Sequence, residues 1–185
     1  MNTSKGLAWA GAGFTTSAAV VYGARRMRSK RVPELETAPH VDLERYQGRW
    51  FEIARYPNPF ERRCAKNTTA EYTLGKGGRR VVVENRCTTE DGRGYSVRGR
   101  ATVANRDTGA KLRVKFGPFG SADYWIVDVA PDYRYAIVGE PKRKFLWILS
   151  RTPSVDAADR ATIDLRVRAA GYDPDRLVRT PQDGA

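Results

Sequence analysis

The sequence predicts an all-β fold: an eight-stranded antiparallel up-and-down barrel with one C-terminal α-helix packed outside it, preceded by an apolar N-terminal segment. Three observations carry that expectation. From residue 41 to residue 150, runs of four to eight residues rich in Val, Ile, Thr and aromatics recur, bounded by Gly, Pro, Asp or Asn. The connections between them are mostly of hairpin length, which favours a meander. After residue 150 the apolar period changes from that of a strand to that of a helix. Eight strands closed on themselves leave no free edge and enclose room for one small ligand.

The chain opens with 18 uncharged residues, Gly6 to Gly23, near the lower limit for a spanning helix. Only Lys5 precedes them, whereas Arg25, Arg26, Arg28, Lys30 and Arg31 follow. That layout favours keeping the following chain in the cytoplasm, and it is the reverse of a signal peptide. No Cys ends the apolar stretch, so a lipid-modified anchor is not expected. Residues 1–31 thus read either as an uncleaved anchor or as an atypical export signal, and the expected place is membrane-associated or periplasmic. Residues 32–40, with two prolines, read as a linker. The domain is expected over 41–182, with 183–185 as a tail.

Strands are expected near 50–56, 69–74, 80–87, 95–103, 111–116, 124–130, 134–139 and 145–150. Between them lie the turn signals Gly75-Lys-Gly-Gly78, Glu90-Asp-Gly-Arg-Gly94, Asn105-Arg-Asp-Thr-Gly109 and Glu140-Pro-Lys-Arg-Lys144. Ser154 is the expected N-cap of the helix, with Asp156 and Asp159 suiting its dipole. Val155, Ala158, Thr162, Leu165 and Ala169 recur at helical spacing as its buried stripe. Gly171 is the expected residue after its C-cap, and 175–182 a short closing strand.

Composition excludes several functions. The net charge is +12, of which +8 belongs to residues 41–185. The cations there alternate with apolar residues, as in Lys111-Leu-Arg-Val-Lys115, the pattern of a solvated strand face. No nucleic-acid motif accompanies them, and no nucleic-acid partner is expected. His40 is the one histidine and Cys64 and Cys87 are the two cysteines. That set supports neither a common zinc site nor a His-assisted nucleophile. No metal, cofactor or catalytic residue is expected, and ordinary hydrolase chemistry is not expected.

Cys64 and Cys87 flank the first hairpin almost symmetrically about Gly75-Lys-Gly-Gly78. Antiparallel folding brings them nearly opposite, at a separation a disulfide spans. A persistent disulfide implies an oxidising compartment, which sides with export and against the N-terminal charge pattern.

Gly48-Arg-Trp50 offers a bend that frees a ring to turn inward. Arg151, ending the last strand, is placed to lay its guanidinium across that ring. From spacing alone, a core Trp beside an unrelated surface Arg fits as well. Taken together, Gly48-Arg-Trp-Phe-Glu-Ile-Ala-Arg55, Phe60-Glu61, Ala130-Pro-Asp-Tyr-Arg134 and Leu146-Trp-Ile-Leu-Ser-Arg-Thr-Pro153 resemble the signatures of lipocalins. The resemblance is to the bacterial outer-membrane-type, apolipoprotein D-like branch and spans about 41–182. It implies structural roles for Gly48, Trp50, Asp132, Tyr133 and Arg151, and it favours the Trp50–Arg151 contact. Pro131 stands where the family has Thr before the Asp-Tyr pair.

The resemblance further implies a small lipophilic ligand inside the barrel, a fatty acid, lysophospholipid or similar lipid, carried or stored in the cell envelope. The alternatives are a lipocalin-fold enzyme on a lipophilic substrate, or a membrane-associated scaffold. Tyr124 and Trp147 match family positions near the ligand. Alternation adds Leu149 and Phe145 to the face of Trp147, then Leu112, Val114, Phe116, Val81, Val83 and Ile126. Strict alternation from Ile126 also places Asp128 inside. Arg55 and Arg62 are the expected rim cations for a polar or anionic headgroup. A monomer is favoured.

Overall fold

Side-chain alternation sets the sheet. Along β5 (Lys111–Phe116), Leu112 and Val114 are buried while Arg113 and Lys115 face solvent, as a strand with one dry face requires. The other strands are β1 (Gly48–Arg55), β2 (Cys64–Leu74), β3 (Arg80–Thr89), β4 (Gly94–Val103), β6 (Ala122–Val129), β7 (Tyr135–Gly139) and β8 (Leu146–Ser150), of which β7 is buried along its whole length because both of its faces are covered. Neighbours pair antiparallel from β2 round to β8, β8 pairs with β1, and β1 returns to β2 through Gly48–Phe51. The barrel is therefore closed. This computed structural model describes residues 33–118 and 120–184; the expected anchor or export segment lies outside the described residues. Among the described residues, no helix is long and apolar enough to cross a membrane.

Two cores share the strands. Inside the barrel, Trp50, Tyr72, Val83, Leu112, Ile126 and Leu149 pack together. Outside it, Ile53, Ile137, Leu146 and Ile148 meet Ile163 and Val167 of α2 (Ala157–Ala169). The helix packs outside the barrel as expected, but its start and phase differ from the sequence reading. Its N-cap is Asp156, whose carboxylate accepts from Asp159 N, and not Ser154. The buried stripe is Asp159, Ile163 and Val167, whereas Leu165 is 69% exposed. The stripe that meets the barrel is the one carrying Ile163 and Val167, and Asp159 takes a buried position on it because Arg134 pairs with its carboxylate at 2.7 Å.

Two bulges re-aim side chains, as an extra residue in one strand does. In β6 the register shifts between Ile126 and Asp128. Asp128 consequently faces outward, with Oδ2 3.9 Å from Arg166 Nε on the helix, and not into the barrel as strict alternation indicated. In β1 the shift lies between Glu52 and Ala54, so Glu52 follows Trp50 inward and Arg55, opposite Trp147, returns to the interior.

The segment expected as a linker is part of the domain from residue 33. Leu35 and Ala38 are buried, Ala38 N donates to Ile126 O at 3.0 Å, and Glu34 pairs with Lys111 at 3.0 Å. A short helix absent from the sequence reading, α1 (Leu43–Tyr46), is capped by Asp42 and crosses one end of the barrel. At the other end β9 (Val178–Arg179) pairs with β1, the expected closing strand. Cys64 and Cys87 are joined, with Cα atoms 5.5 Å apart. Irregularities in β2 set Cys64 opposite Thr89, so the bond runs diagonally and not straight across the pair.

Candidate functional site

The closed end is built first by Gly48, whose φ of +86° turns the chain from α1 into β1. Trp50 then points inward, fully buried, and donates from Nε1 to Tyr46 O at 2.8 Å. Arg151 Cζ stands 3.8 Å from the Trp50 ring centroid, and its Nη1 and Nη2 donate to Arg49 O and Arg45 O. Tyr133 caps the same end from the β6–β7 turn. Its φ is +65°, its hydroxyl accepts from Asp42 N at 2.7 Å, and Arg45 lies over its ring. Asp132 holds that turn through Arg134 N and the Arg134 guanidinium.

Above this floor lies an apolar chamber walled by Val81, Val83, Leu112, Val114 and Ile126, with a residual cavity of about 10 Å³, roughly one water molecule. Three phenols cross it. The Tyr124 hydroxyl lies 2.9 Å from that of Tyr46 and 2.8 Å from that of Tyr72. Desolvation by burial pushes all three well above the ordinary tyrosine range, so they act as neutral hydrogen-bonding groups.

The mouth-side half carries charge. Glu52 is 3% exposed and accepts from Thr180 Oγ1 and from Arg55 Nη1 at 3.0 Å. Arg55 Nε is 3.3 Å from Glu61 Oε2, and Trp147 Nε1 donates to Glu61 Oε1 at 2.7 Å. Burial, and then the neighbouring Glu61 carboxylate, push Glu52 up to about 8, so at neutral pH it keeps a proton. Phe145 packs between Phe60 and Trp147, with centroids at 5.2 and 6.1 Å, and Phe60 is 64% exposed.

The structure brings together Tyr124, Leu112, Val114, Ile126 and Val83 around one chamber. Phe116 packs beside them at the next level, against Gly99, and Leu149 and Trp147 complete the inner wall. Phe145 belongs to the mouth. Arg55 is inside the barrel and already engaged by Glu52 and Glu61, so it is not the free rim cation expected; Arg62 is exposed. Tyr46, Tyr72, Glu52 and Glu61 were not among the expected site residues. Glu52 and Tyr72 had a readable signal: each sits two residues from an inward neighbour, Trp50 and Ala70 respectively, on its own strand.

The comparisons agree with this architecture. A model of the lipocalin-like domain matches residues 41–182. Temperature-induced lipocalin-1 of Arabidopsis thaliana is 37% identical over 157 residues, covering 80% of this chain and 83% of its own. Outer membrane lipoprotein Blc of Escherichia coli K12 is 34% identical over 147 residues, covering 79% and 82%. Among solved structures, lobster apocrustacyanin A1 superposes with a TM-score of 0.64 over 83% of this chain and 94% of its own, at 18% identity, a likeness of fold. Barrel topology, the Trp50–Arg151 floor, the domain match and these identities lead to one conclusion: the chain belongs to the lipocalin family.

Proposed function

We propose that this lipocalin binds and carries a small lipophilic ligand, a fatty acid, lysophospholipid or similar lipid, in the interior of its barrel. The observation that carries the reading is the apolar chamber under a polar, aromatic-rimmed mouth. An acyl chain placed there gains about 0.8 kcal/mol per buried methylene, and its polar head stays at the level of Glu52, Arg55 and Glu61. The chamber is nearly filled by its own side chains, so a ligand enters only as the residues lining it move aside, and Trp147, Phe145 and Phe60 form an aromatic row at the mouth. The oxidised Cys64–Cys87 pair leaves no free thiol, which counts against the enzymatic alternative. An outer-membrane lipoprotein among the relatives supports a place in the cell envelope, although this chain has no Cys at the end of its apolar stretch.

The test is native mass spectrometry of the full chain produced in an oxidising compartment, followed by organic extraction. One lipid per barrel, lost in a folded Trp147→Arg variant, supports the carrier reading. A barrel that stays empty with lipid in excess refutes it.

A second reading, attachment to an anionic membrane surface, has its own observation. On the outer faces of β3, β4 and β5, the register sets Arg100 beside Lys115 and Val82, and Thr102 between Arg80 and Arg113. Among the described residues, Arg80, Arg98, Arg100 and Lys115 have no carboxylate oxygen within 4 Å, while Arg113 pairs with Asp123. Each such cation contributes about 1 kcal/mol at an anionic surface. Salt-sensitive binding of the full chain to phosphatidylglycerol vesicles, weakened by Arg98→Gln with Arg100→Gln and Lys115→Gln, checks it.

A further inference from the structure

We infer that the lipophilic ligand enters and leaves the barrel through its side wall, at the seam between β9 and β2, which opens when a latch made by Asn67, Gln182 and Asp183 lets go. The inference rests on the carrier reading and adds the route. β1 meets β2 only from Gly48 opposite Tyr72 to Phe51 opposite Thr69. Past Phe51, β1 bulges and stays with β8, while β2 continues along β3 to Cys64. The wedge left between β1 and β2 is filled by residues 178–183.

Those residues are bound differently on their two sides. Toward β1 the contact is a ladder: Arg179 and Val178 stand opposite Ala54 and Arg55, and Thr180 N donates to Ile53 O at 2.9 Å. Toward β2, among the described residues, one main-chain bond is present, from Asn67 N to Pro181 O at 2.8 Å. Pro181 has no N–H to return. Side chains make the rest of the closure. Gln182 Nε2 spans the wedge, donating to Glu52 O at 2.8 Å and to Thr68 O at 2.9 Å. Asp183 N donates to Asn67 Oδ1, and Asn67 Nδ2 donates to Asp183 Oδ2, each at 2.8 Å. Lys66 adds an ion pair to Asp183 at 2.9 Å. Of residues 178–183 only Thr180 is buried, so little apolar surface holds the segment down. Segments with exposed hydrogen bonds and few apolar contacts are the ones that open locally.

The wedge leads inward. The Thr180 hydroxyl donates to Glu52 and accepts from Arg55 Nη1 at 3.0 Å, both of them interior groups. Tyr72, further along β2, borders the apolar chamber. The chain just before the wedge is pinned, because the Tyr56 hydroxyl accepts from Asp173 N at 2.7 Å and donates to Asp173 O at 2.8 Å. Motion is thereby confined to the residues that fill the seam. At the mouth, by contrast, Trp147 is tied to Glu61 at 2.7 Å, and Phe145 packs between Phe60 and Trp147.

The experiment uses the full oxidised chain and dansyl-labelled undecanoic acid, with uptake and release followed by stopped-flow energy transfer from tryptophan. Gln182→Ala with Asp183→Ala is expected to speed both rates by about fivefold, the effect of one ordinary hydrogen bond, and to keep the affinity within about twofold. Asn67→Cys with Asp183→Cys, bridged by dibromomaleimide, is expected to slow both rates by about tenfold. The oxidised Cys64–Cys87 pair offers that reagent no thiol. Slowing is a result that a destabilised barrel does not give. A bridged chain that exchanges the probe at the wild-type rate overturns the route, and so does a latch variant with both rates unchanged. If the bridge does not form, hydrogen exchange of the wild-type chain decides. The Asn67 N–H, facing the seam, is expected to exchange about tenfold faster than the Thr180 N–H on the β1 side, and equal rates overturn the route. Equilibrium binding separates the two readings: a probe that does not bind at all refutes the carrier reading and the route with it, whereas one that binds with unaltered rates refutes the route alone.

Discussion

Arg151 places its guanidinium 3.8 Å from the ring centroid of Trp50 while two of its nitrogens donate to Arg49 O and Arg45 O. One side chain thus joins the end of β8 to the start of β1 and to α1, closing the barrel where the ladder between first and last strands ends. Replacing it with Gln removes the cation–π contact and leaves two carbonyls without their charged donor. A loss of about 2–3 kcal/mol is expected in urea unfolding. Arg151→Lys should recover less than half of it, because one ammonium cannot cover the ring and reach both carbonyls.

Glu52 predicts a pH dependence. Its carboxyl rises from about 4.5 when exposed to about 8 in the fold, through burial first and the Glu61 carboxylate second. Between those values the folded chain holds a proton that the unfolded chain has released. Stability from this group is therefore full below about pH 4.5 and is lost as pH rises through about 8. Glu52→Gln keeps the shape without the titration. Thermal melts at pH 5, 6, 7 and 8 should show the wild type losing Tm across the series and the variant showing a markedly flatter profile.

The Cys64–Cys87 bond closes a loop with a sequence separation of 23 residues. Removing both thiols as Cys64→Ser with Cys87→Ser is expected to cost about 3 kcal/mol, mostly by releasing the unfolded chain. Equilibrium unfolding of the oxidised, reduced and double-variant chains checks it, and the last two should coincide.

How far the sequence disclosed the molecule depended on whether a local rule was sufficient. Period-two alternation placed Leu112, Val114 and Ile126 correctly, since β5 is regular and the shift in β6 begins only after Ile126. It failed at Asp128, because a bulge has no alternation of its own. The helix phase failed for a related reason. Apolar spacing selected Leu165, but the barrel-facing stripe includes Asp159, which is buried through its pair with Arg134, a residue distant in sequence. Ile163→Ala should therefore cost about 3 kcal/mol, and Leu165→Ala less than 0.5. Of the site, the apolar wall was legible. The Glu52–Arg55–Glu61 cluster was not, because it exists only where the β1 bulge, the β1–β2 loop and the C-terminal strand meet.

Gly139 and Tyr172 give the sharpest steric test of how the C-terminal segment docks. A Cβ at Gly139 would overlap the Tyr172 hydroxyl oxygen and sit 2.8 Å from Cζ. That hydroxyl accepts from Glu140 N at 3.0 Å and donates to Glu140 O at 3.1 Å, while the ring meets Tyr56 edge to face. Gly139→Ala must push the phenol away, breaking both hydrogen bonds and loosening the segment after α2. Overpacking of this kind costs about 1–3 kcal/mol. The backbone at Gly139 does not have a positive φ, so strain in the chain itself contributes nothing. Tyr172→Phe removes the atom in closest contact. The double variant should lose at least 1 kcal/mol less than the two single losses added together, the mark of direct contact. Additive losses in that cycle would mean that Tyr172 does not pack over Gly139 in solution. Gly77→Ala is the control: its φ is +86° but nothing lies within 4 Å of the added methyl group, so only the backbone cost of about 1 kcal/mol is expected.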